Sequence, residues 1–246
     1  MPSASRHALR RGARELWSTL LDAILSPRCA ACAGDVGCGS LCAGCAHLLE
    51  RRSAPACARC GEPLARRGGR CRADHRTLAN LALAQAPLRY RGTGARLVHR
   101  LKFQRDLVAG RFLVRGMVLR MGEWAGTDGR RALVVPVPRH RSKARHAGFD
   151  PATWLAEGVA AGLRLELVAD ALERTRPTLP QADPRVTSRE QNVAGAFRCR
   201  RAYAVVGHPV LLVDDVLTSG ATARACAREL LAAGVRKVAA LTAARA

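Results

Sequence analysis

Apolar residues recur with two alternating periods from residue 81 to the end of this chain. Short continuous apolar runs predict buried strands, at 81–90, 132–137, 207–213 and 237–242. Apolar residues three and four positions apart predict helices between them, at 92–103, 107–121, 151–162 and 222–233. Strands that alternate with helices indicate an α/β fold with a mainly parallel sheet and helices on both of its faces.

Two stretches of this region fit the alternation less well. Residues 165–172 are predicted to form a short strand or a turn of helix. Residues 174–192 have no periodicity and are broken by prolines and threonines. We therefore expect a mobile loop there.

The first 26 residues predict an amphipathic helix ahead of the rest of the chain. Leu16, Leu20 and Ile24 follow helical spacing, and Pro27 ends the pattern. Arginines before an apolar stretch would also suit a secretory signal, but Asp22 interrupts the stretch and no small-residue cleavage site follows. No apolar run approaches the roughly 18 residues that a membrane-spanning helix needs. We expect a cytoplasmic protein without a membrane span.

Seven cysteines fall in three groups between residues 29 and 71, and their spacing indicates bound metal. In a chain without a predicted secretory signal, CxxC pairs favour zinc over disulfides. Two such pairs complete one tetrahedral site, whereas the second set has three cysteines and either an aspartate or a histidine for its fourth ligand. The site is then Cys3His, Cys3Asp or empty, so we expect one or two structural zinc ions. The candidate ligands are Cys29, Cys32, Cys42, Cys45, Cys57, Cys60, Cys71, Asp74 and His75.

The pairing of these cysteines has alternatives. Sequential pairing is favoured because short loops cost less to close, but Cys29 and Cys32 could instead join Cys57 and Cys60. An iron–sulfur cluster is a weaker rival because the spacing differs from that of the common ferredoxins. A four-thiolate site has no open coordination position. We therefore expect a structural module with its own small core.

A strand followed by two acids predicts a site for a sugar phosphate. The apolar run ending at Val213 leads into Asp214 and Asp215, and a hydroxyl- and glycine-rich turn at 218–222 then opens a helix. Ligands of open α/β sheets bind at the carboxyl ends of the strands, and a helix N-terminus favours an anion. Adjacent carboxylates can hold two vicinal ribose hydroxyls. An ordinary acidic turn before a capped helix is the alternative. A Walker-type loop is a poor rival because it needs a GKS or GKT sequence, and no lysine follows any glycine.

The charge of the chain indicates a polyanionic ligand or partner. The formal net charge is +22 on 246 residues, which favours nucleic acid. Only three of the basic residues are lysines, so the excess of arginine also fits a GC-rich genome. Aromatic residues make up 4% of the chain, few for a platform that stacks single-stranded bases.

Segment 211–222 resembles the 5-phosphoribosyl-1-pyrophosphate (PRPP) motif of type I phosphoribosyltransferases. The whole chain resembles the ComF family, whose members join a double zinc ribbon to such a domain and are linked to competence for DNA uptake. The resemblance rests on the CxxC groups, Leu101-Lys102-Phe103, the strand and basic loop at 134–146, and the segment 174–197. It divides the chain into an N-terminal helix (1–26), a double zinc ribbon (27–78) and a phosphoribosyltransferase-like domain (79–246).

The resemblance implies a role for each matched residue. Asp214 and Asp215 would grip the ribose hydroxyls at the catalytic centre of a Mg2+-dependent reaction, and Arg176 and Arg189 would lie on a flexible loop that closes over PRPP. The PRPP-binding candidates are Val213, Val216, Leu217, Thr218, Ser219, Gly220, Ala221, Thr222, Arg139 and Arg141.

One departure from the family concerns the pyrophosphate side. Family members carry Arg-Gly-Phe-Asn-Gln after the basic loop, where this chain has Ala147-Gly148-Phe149-Asp150-Pro151.

Two functions therefore stay open. One is an enzyme that transfers phosphoribose to an unknown acceptor, which the intact acids favour. The other is a non-catalytic protein that binds single-stranded DNA or nucleotide and assists a DNA-uptake helicase, which the altered 147–151 stretch favours. The sequence gives no oligomeric state.

Overall fold

We describe a computed structural model of the chain over residues 28–36, 39–52, 55–126, 131–140, 148–177 and 188–246. The helix predicted over 1–26 lies outside the described residues. So do Arg141 and Ala147.

A parallel sheet forms the centre of the molecule. The strands in chain order are β1 (Leu83–Gln85), β2 (Leu88–Arg89), β3 (Leu133–Pro136), β4 (Glu166–Leu167), β5 (Leu172–Arg174), β6 (Phe197–Cys199), β7 (Pro209–Leu217) and β8 (Lys237–Arg245). The sheet has the order β1–β8–β7–β3–β4, and β2 pairs with β8 farther along the same edge. These pairings are parallel, whereas β5 and β6 form a separate antiparallel pair. The predicted mainly parallel α/β fold is confirmed.

Helices cover both faces of the sheet. In chain order they are α1 (Ala43–His47), α2 (Gly92–Gln104), α3 (Leu107–Gly126), α4 (Pro151–Leu163), α5 (Arg189–Val193), α6 (Ala202–Val205) and α7 (Ala221–Ala232), and a 3-10 helix spans His75–Leu78. Apolar residues of α2, α3 and α4 pack on one face of the sheet. The β5–β6 pair, α5, α6 and α7 pack on the other face. In the described residues, no helix is long and apolar enough to cross a membrane.

The cysteine-rich region is divided between these two faces. Cys29 and Cys45 are buried with the side chains of α2 and α3, whereas Cys60 and Leu78 are buried with those of α7. The expectation of a separate small core for this region is therefore wrong. Each half completes a core that the sheet begins.

The strand and helix boundaries differ from the predictions at a few places. The strand predicted over 81–90 is split at Pro87, which lacks the N–H that a continuous ladder needs. Strands β7 and β8 run three or four residues beyond their predicted ends because they pair with each other as far as Leu217 and Arg245. Of 165–172, only Glu166–Leu167 forms a β4 strand, while Leu172 begins β5.

The β5–β6 pair was not predicted. It brackets the loop expected over 174–192, and α5 begins inside that range. Each of these strands has only three residues, which is too short for a period to show.

Candidate functional site

Strand β7 carries Asp214 and Asp215 at the carboxyl-terminal edge of the sheet. The strand was predicted to end before these acids, but it continues through Leu217, so both acids lie within it. Successive side chains of a strand point to opposite faces. Asp214 accordingly lines a pocket with Leu212, and Asp215 contacts the opposite layer of helices. The two carboxylates therefore have different environments.

Asp215 is held by a lysine from α2. The Nζ atom of Lys102 lies 2.6 Å from Oδ2 of Asp215, and Asp215 is only 8% exposed. A charge-assisted bond of this length is strong and fixes the carboxylate. Lys102 belongs to the Leu101-Lys102-Phe103 segment quoted for the resemblance, but the sequence assigned it no role. The only sequence signal for a role of Lys102 was that the chain has just three lysines.

Asp214 faces a narrow pocket beside strand β8. Burial, and next the charge of Asp215, raise the pKa of Asp214 to about 8. Thr242 of β8 is its partner in register and lines the same pocket, a contribution that the sequence did not predict. The pocket has a volume of about 20 Å³, enough for about one water molecule. A larger ligand must therefore lie at the mouth of the pocket.

Residues 218–222 comprise the turn after β7 and the first two residues of α7, and we call them the phosphate loop. Gly220 has φ +76°, a left-handed conformation that favours glycine, and it immediately precedes α7. The N–H of Ala221 donates to Oγ of Ser219 at 3.4 Å. Thr218 and Thr222 line the pocket. The amino end of a helix beside hydroxyl groups is a suitable site for a phosphate.

The predicted loop residues fit this site unequally. Val216 and Leu217 line the pocket, whereas Val213 is fully buried on the opposite face of the sheet. The side chain of Val213 therefore supports the strand and lies away from the pocket.

The arginines predicted to face pyrophosphate and to close over the site are only partly described. Nε of Arg139 lies 3.5 Å from Oδ1 of Asp150, which caps α4. Arg176 donates to the carbonyl of Ala194 at 2.7 Å, a contact within the segment that leads to β6. Arg141 and the side chain of Arg189 lie outside the described residues. Asp150 was noted in the sequence only as a departure from the family.

Burial raises the pKa of Asp150, and the Thr153 hydroxyl and the Arg139 charge oppose that shift. Asp214 and Asp215 also carry carboxylates into this region, and the charge of Asp215 contributes to the shift at Asp150. Acidic groups from β7 and the start of α4 are thus electrostatically coupled at one edge of the sheet.

The first cluster of potential metal ligands is Cys29, Cys32, Cys42 and Cys45. Its four sulfur atoms lie within 4.8 Å of one another, and those of Cys32 and Cys42 are 3.8 Å apart. A tetrahedral zinc ion with Zn–S bonds of about 2.3 Å separates its sulfur ligands by about 3.8 Å. The structure thus groups the cysteines in sequential order. The geometry fits zinc.

The second cluster is Cys57, Cys60, Cys71 and His75. Sγ of Cys57 lies 3.6 Å from Nε2 of His75, and Sγ of Cys60 lies 3.5 Å from Sγ of Cys71. A sulfur and a nitrogen ligand of tetrahedral zinc are about 3.6 Å apart, so this set also fits. Burial and neighbouring thiol groups raise the pKa of Cys60 to about 12 although a backbone hydrogen bond opposes the shift. A bound cation would offset that cost by stabilising the thiolate.

Asp74 is not grouped with the second cluster. Its carboxylate accepts hydrogen bonds from the backbone N–H and from Nε of Arg76, at 2.9 and 3.0 Å. It caps the 3-10 helix that carries His75. Of the two fourth ligands left open by the sequence, the structure places the histidine with the three cysteines.

Comparison with known protein families matches two separate parts of the chain. A family described as double zinc ribbon domain matches residues 20–73, and a family described as phosphoribosyl transferase domain matches residues 152–246. The chain therefore joins a double zinc ribbon domain to a phosphoribosyltransferase domain.

The relatives that it matches are named for DNA utilization or for competence. It is 30% identical over 144 residues to the DNA utilization protein YhgH of Escherichia coli K12, a match that covers 58% of this chain and 63% of that relative. It is 26% identical over 219 residues to Competence protein F of Haemophilus influenzae, covering 86% of this chain and 93% of that relative. The match with YhgH of Salmonella typhimurium is 27% over 206 residues, covering 80% and 87%. The predicted resemblance to the ComF family is confirmed.

Proposed function

We propose that the chain binds Mg2+-PRPP at the edge formed by β7 and the phosphate loop, and transfers phosphoribose to an acceptor. The observation that carries this proposal is the position of Asp214, which faces the same pocket as Thr218 and Thr222 of the phosphate loop. A carboxylate beside a helix N-terminus matches a ligand that has hydroxyl groups on one part and a phosphate on another. The phosphoribosyltransferase family match supports the same ligand.

Different residues contact the phosphate and the ribose of the ligand. The phosphate loop and the amino end of α7 hold the 5-phosphate, and the Asp214 carboxyl group hydrogen-bonds the ribose hydroxyls. Positive charge that develops on the ribose during displacement of pyrophosphate is stabilised by Asp214 in its ionised form. Lys102 keeps Asp215 in position, because their ion pair is short and the Asp215 side chain is largely buried. When bound with PRPP, Mg2+ neutralises charge on the diphosphate.

Ligand binding is tested first by thermal stability. A ligand at 100 times its Kd stabilises the folded state by about 2.7 kcal/mol, or roughly 5–11 °C in Tm for a chain of this size. Mg2+-PRPP should give such a shift with the wild type and none with the Asp214→Asn, Asp215→Asn double variant. Asp170→Asn, which neutralises an exposed acid paired with Arg201, is the control and should keep the shift. No shift with the wild type overturns the proposal.

Turnover needs a separate assay. Pyrophosphate should appear when purine or pyrimidine bases are added to protein with Mg2+-PRPP, and the double variant should release none. A shift in Tm without pyrophosphate from any base would leave a PRPP-binding protein and refute transfer to a base.

A second candidate function is binding of single-stranded DNA, alone or with a DNA-uptake helicase. The names of the relatives and the net charge of +22 favour it. Because so basic a chain attracts any polyanion, binding alone is not informative. A functional site should prefer single strands to duplex at physiological salt and weaken when Arg139 and Arg141 are neutralised. The exposed Arg66 and Arg67 serve as the control pair.

Competition with PRPP tests whether the two candidate functions use the same site. Displacement of the strand by PRPP would indicate a shared site, and simultaneous binding a separate DNA surface. An affinity that collapses above about 200 mM salt without strand preference would refute the DNA function.

A further inference from the structure

Arg224, on the first turn of α7, connects three parts of the structure behind the phosphate loop. Its Nη1 donates to the carbonyl oxygen of Ser219 at 2.9 Å and to that of Thr77 at 2.5 Å. Its Nη2 lies 2.7 Å from Oε1 of Glu190 on α5. The Arg224 side chain is only 15% exposed, whereas Glu190 is 76% exposed, so the guanidinium is buried at its loop end and meets water at the Glu190 end. One guanidinium thus joins the loop, the cysteine-rich region and the α5 segment.

The Thr77 end of this connection belongs to the second metal cluster. Thr77 lies two residues after His75 in the same 3-10 helix, and its Oγ1 donates to the carbonyl of Asp74 at 2.7 Å. His75 in turn is 3.6 Å from Cys57 within the cluster. A metal held by His75 therefore fixes the short helix whose carbonyl contacts Arg224.

The phosphate loop itself lies close to the same helix. A Cβ atom at Gly220 would lie 3.1 Å from the carbonyl oxygen of Thr77 and 3.2 Å from Nη1 of Arg224. The gap between Gly220 and Thr77 is therefore too narrow for a side chain. A movement of Thr77 away from α7 would lengthen its bond from Nη1 of Arg224, the same atom that holds the carbonyl of Ser219. The position of the 3-10 helix and the conformation of the loop are therefore linked through Arg224.

We propose that Arg224 is a positioning residue that couples the second metal cluster to the phosphate loop, so that metal binding there raises the affinity of the loop for a phosphate monoester. This inference rests on the proposed function of that loop. A guanidinium presents several N–H donors in a fixed plane, so it can hold two carbonyl groups and a carboxylate in a set relation. A lysine has a single ammonium group on a flexible stem and cannot reproduce that arrangement.

The coupling is measured as a thermodynamic cycle with ribose 5-phosphate as the probe. Calorimetry gives Kd for the wild type, Arg224→Met, His75→Ala and the double variant. Each single change should weaken binding by about tenfold, within the range of about 5- to 150-fold seen for coupled sites. The double variant should bind no more weakly than either single one, because both changes break the same connection.

Two control variants separate coupling from general damage. Arg228→Lys changes an exposed arginine one helical turn farther along α7 and should leave Kd unchanged. Cys42→Ser removes a ligand of the first cluster, which packs on the other face of the sheet, and should also leave Kd unchanged. Arg224→Lys should bind as weakly as Arg224→Met. Wild-type affinity in Arg224→Lys would mean that charge alone acts, and it would overturn the proposal.

The reciprocal measurement does not depend on a metal-ligand variant that folds. By linkage, ribose 5-phosphate must strengthen metal binding by the same factor. In equilibrium competition with a chromophoric chelator, it should therefore raise the zinc affinity of one site in the wild type and of neither in Arg224→Met. Provided that the wild type binds ribose 5-phosphate, two results would refute the coupling. One is a double variant whose loss of affinity is the product of the two single losses. The other is a zinc affinity that is equal with and without ribose 5-phosphate. Failure of the wild type to bind ribose 5-phosphate would overturn the coupling, and absence of a response to Mg2+-PRPP would separately overturn the proposed function.

Discussion

Replacing Lys102 by methionine should destabilise the protein more than replacing its partner Asp215 by asparagine. Methionine keeps the length of the side chain but leaves the carboxylate of Asp215, a side chain that is only 12% exposed, without its cation. The Lys102 side chain is 33% exposed, so in Asp215→Asn the ammonium group can turn toward water. The two substitutions in this ion pair should therefore lower the free energy of unfolding by unequal amounts.

The size of the larger cost follows from the burial of the pair. Removing one partner of a fully buried ion pair costs about 3–5 kcal/mol. Because Lys102 is partly exposed and the pair is partly screened, we expect about 2–4 kcal/mol. Asp215→Asn should cost about 1 kcal/mol or less, as should the Lys102→Met, Asp215→Asn double variant.

Urea denaturation at pH 7 measures these differences. Lys102→Met should also lower Tm by roughly 5–15 °C. Arg96→Met, which removes an exposed cation from the same helix, is the matched control and should change stability by less than about 0.5 kcal/mol. The reasoning is refuted if Lys102→Met stays within 1 kcal/mol of the wild type, where the threshold is about the net value of one ordinary hydrogen bond. A double variant as unstable as Lys102→Met would refute it equally.

Three further results are expected. The pKa of Asp214 is about 8 in the folded state and near its usual 3.8 in the unfolded state. The free energy of unfolding should therefore fall as pH rises from about 4 to about 8. Asp214→Asn should remove this fall in urea titrations at several pH values. Gly158→Ala would place Cβ 2.8 Å from the stiff Val114 side chain and should lower the free energy of unfolding by about 1 kcal/mol net. Gly122→Ala has open space around it and should raise the free energy of unfolding by about 1 kcal/mol. Equal effects of the two variants in thermal denaturation would contradict the packing argument. Metal analysis should find two zinc ions per chain and one fewer in Cys60→Ser, and retention of both would contradict the assignment of the second cluster.

The sequence predicts the α/β order well because long apolar runs and helical periods are local signals. It does not predict the partner of Asp215, because Lys102 lies on a helix far away in the chain and only the packing of α2 on the sheet brings the two together. The sequence also cannot decide whether Asp74 or His75 is the fourth ligand of the second cluster. The two residues are adjacent at the start of a 3-10 helix, and only the direction of each side chain distinguishes them.

The placement of the cysteine-rich region shows a different limit of sequence patterns. The CxxC spacing predicts the ligand groups because a knuckle is a local turn. Which larger core each knuckle joins depends on long-range packing, and the structure puts Cys45 and Cys60 on opposite faces of the sheet. The metal clusters thus complete the hydrophobic core as well as organising their own loops.

The departure at 147–151 changes the charge of the site more than its fold. Asp150 accepts from the N–H of Ala152 at 3.3 Å and from Oγ1 of Thr153 at 2.9 Å, and Pro151 fits the first turn of α4 because it needs no N–H donor there. An asparagine at 150 would suit the same cap, but it would bring no negative charge to Arg139, which lies 3.5 Å from the carboxylate. An anion that approaches Arg139 must therefore compete with Asp150. The substitution preserves the start of the helix while it reduces the positive potential on the side of the site where the family resemblance places pyrophosphate.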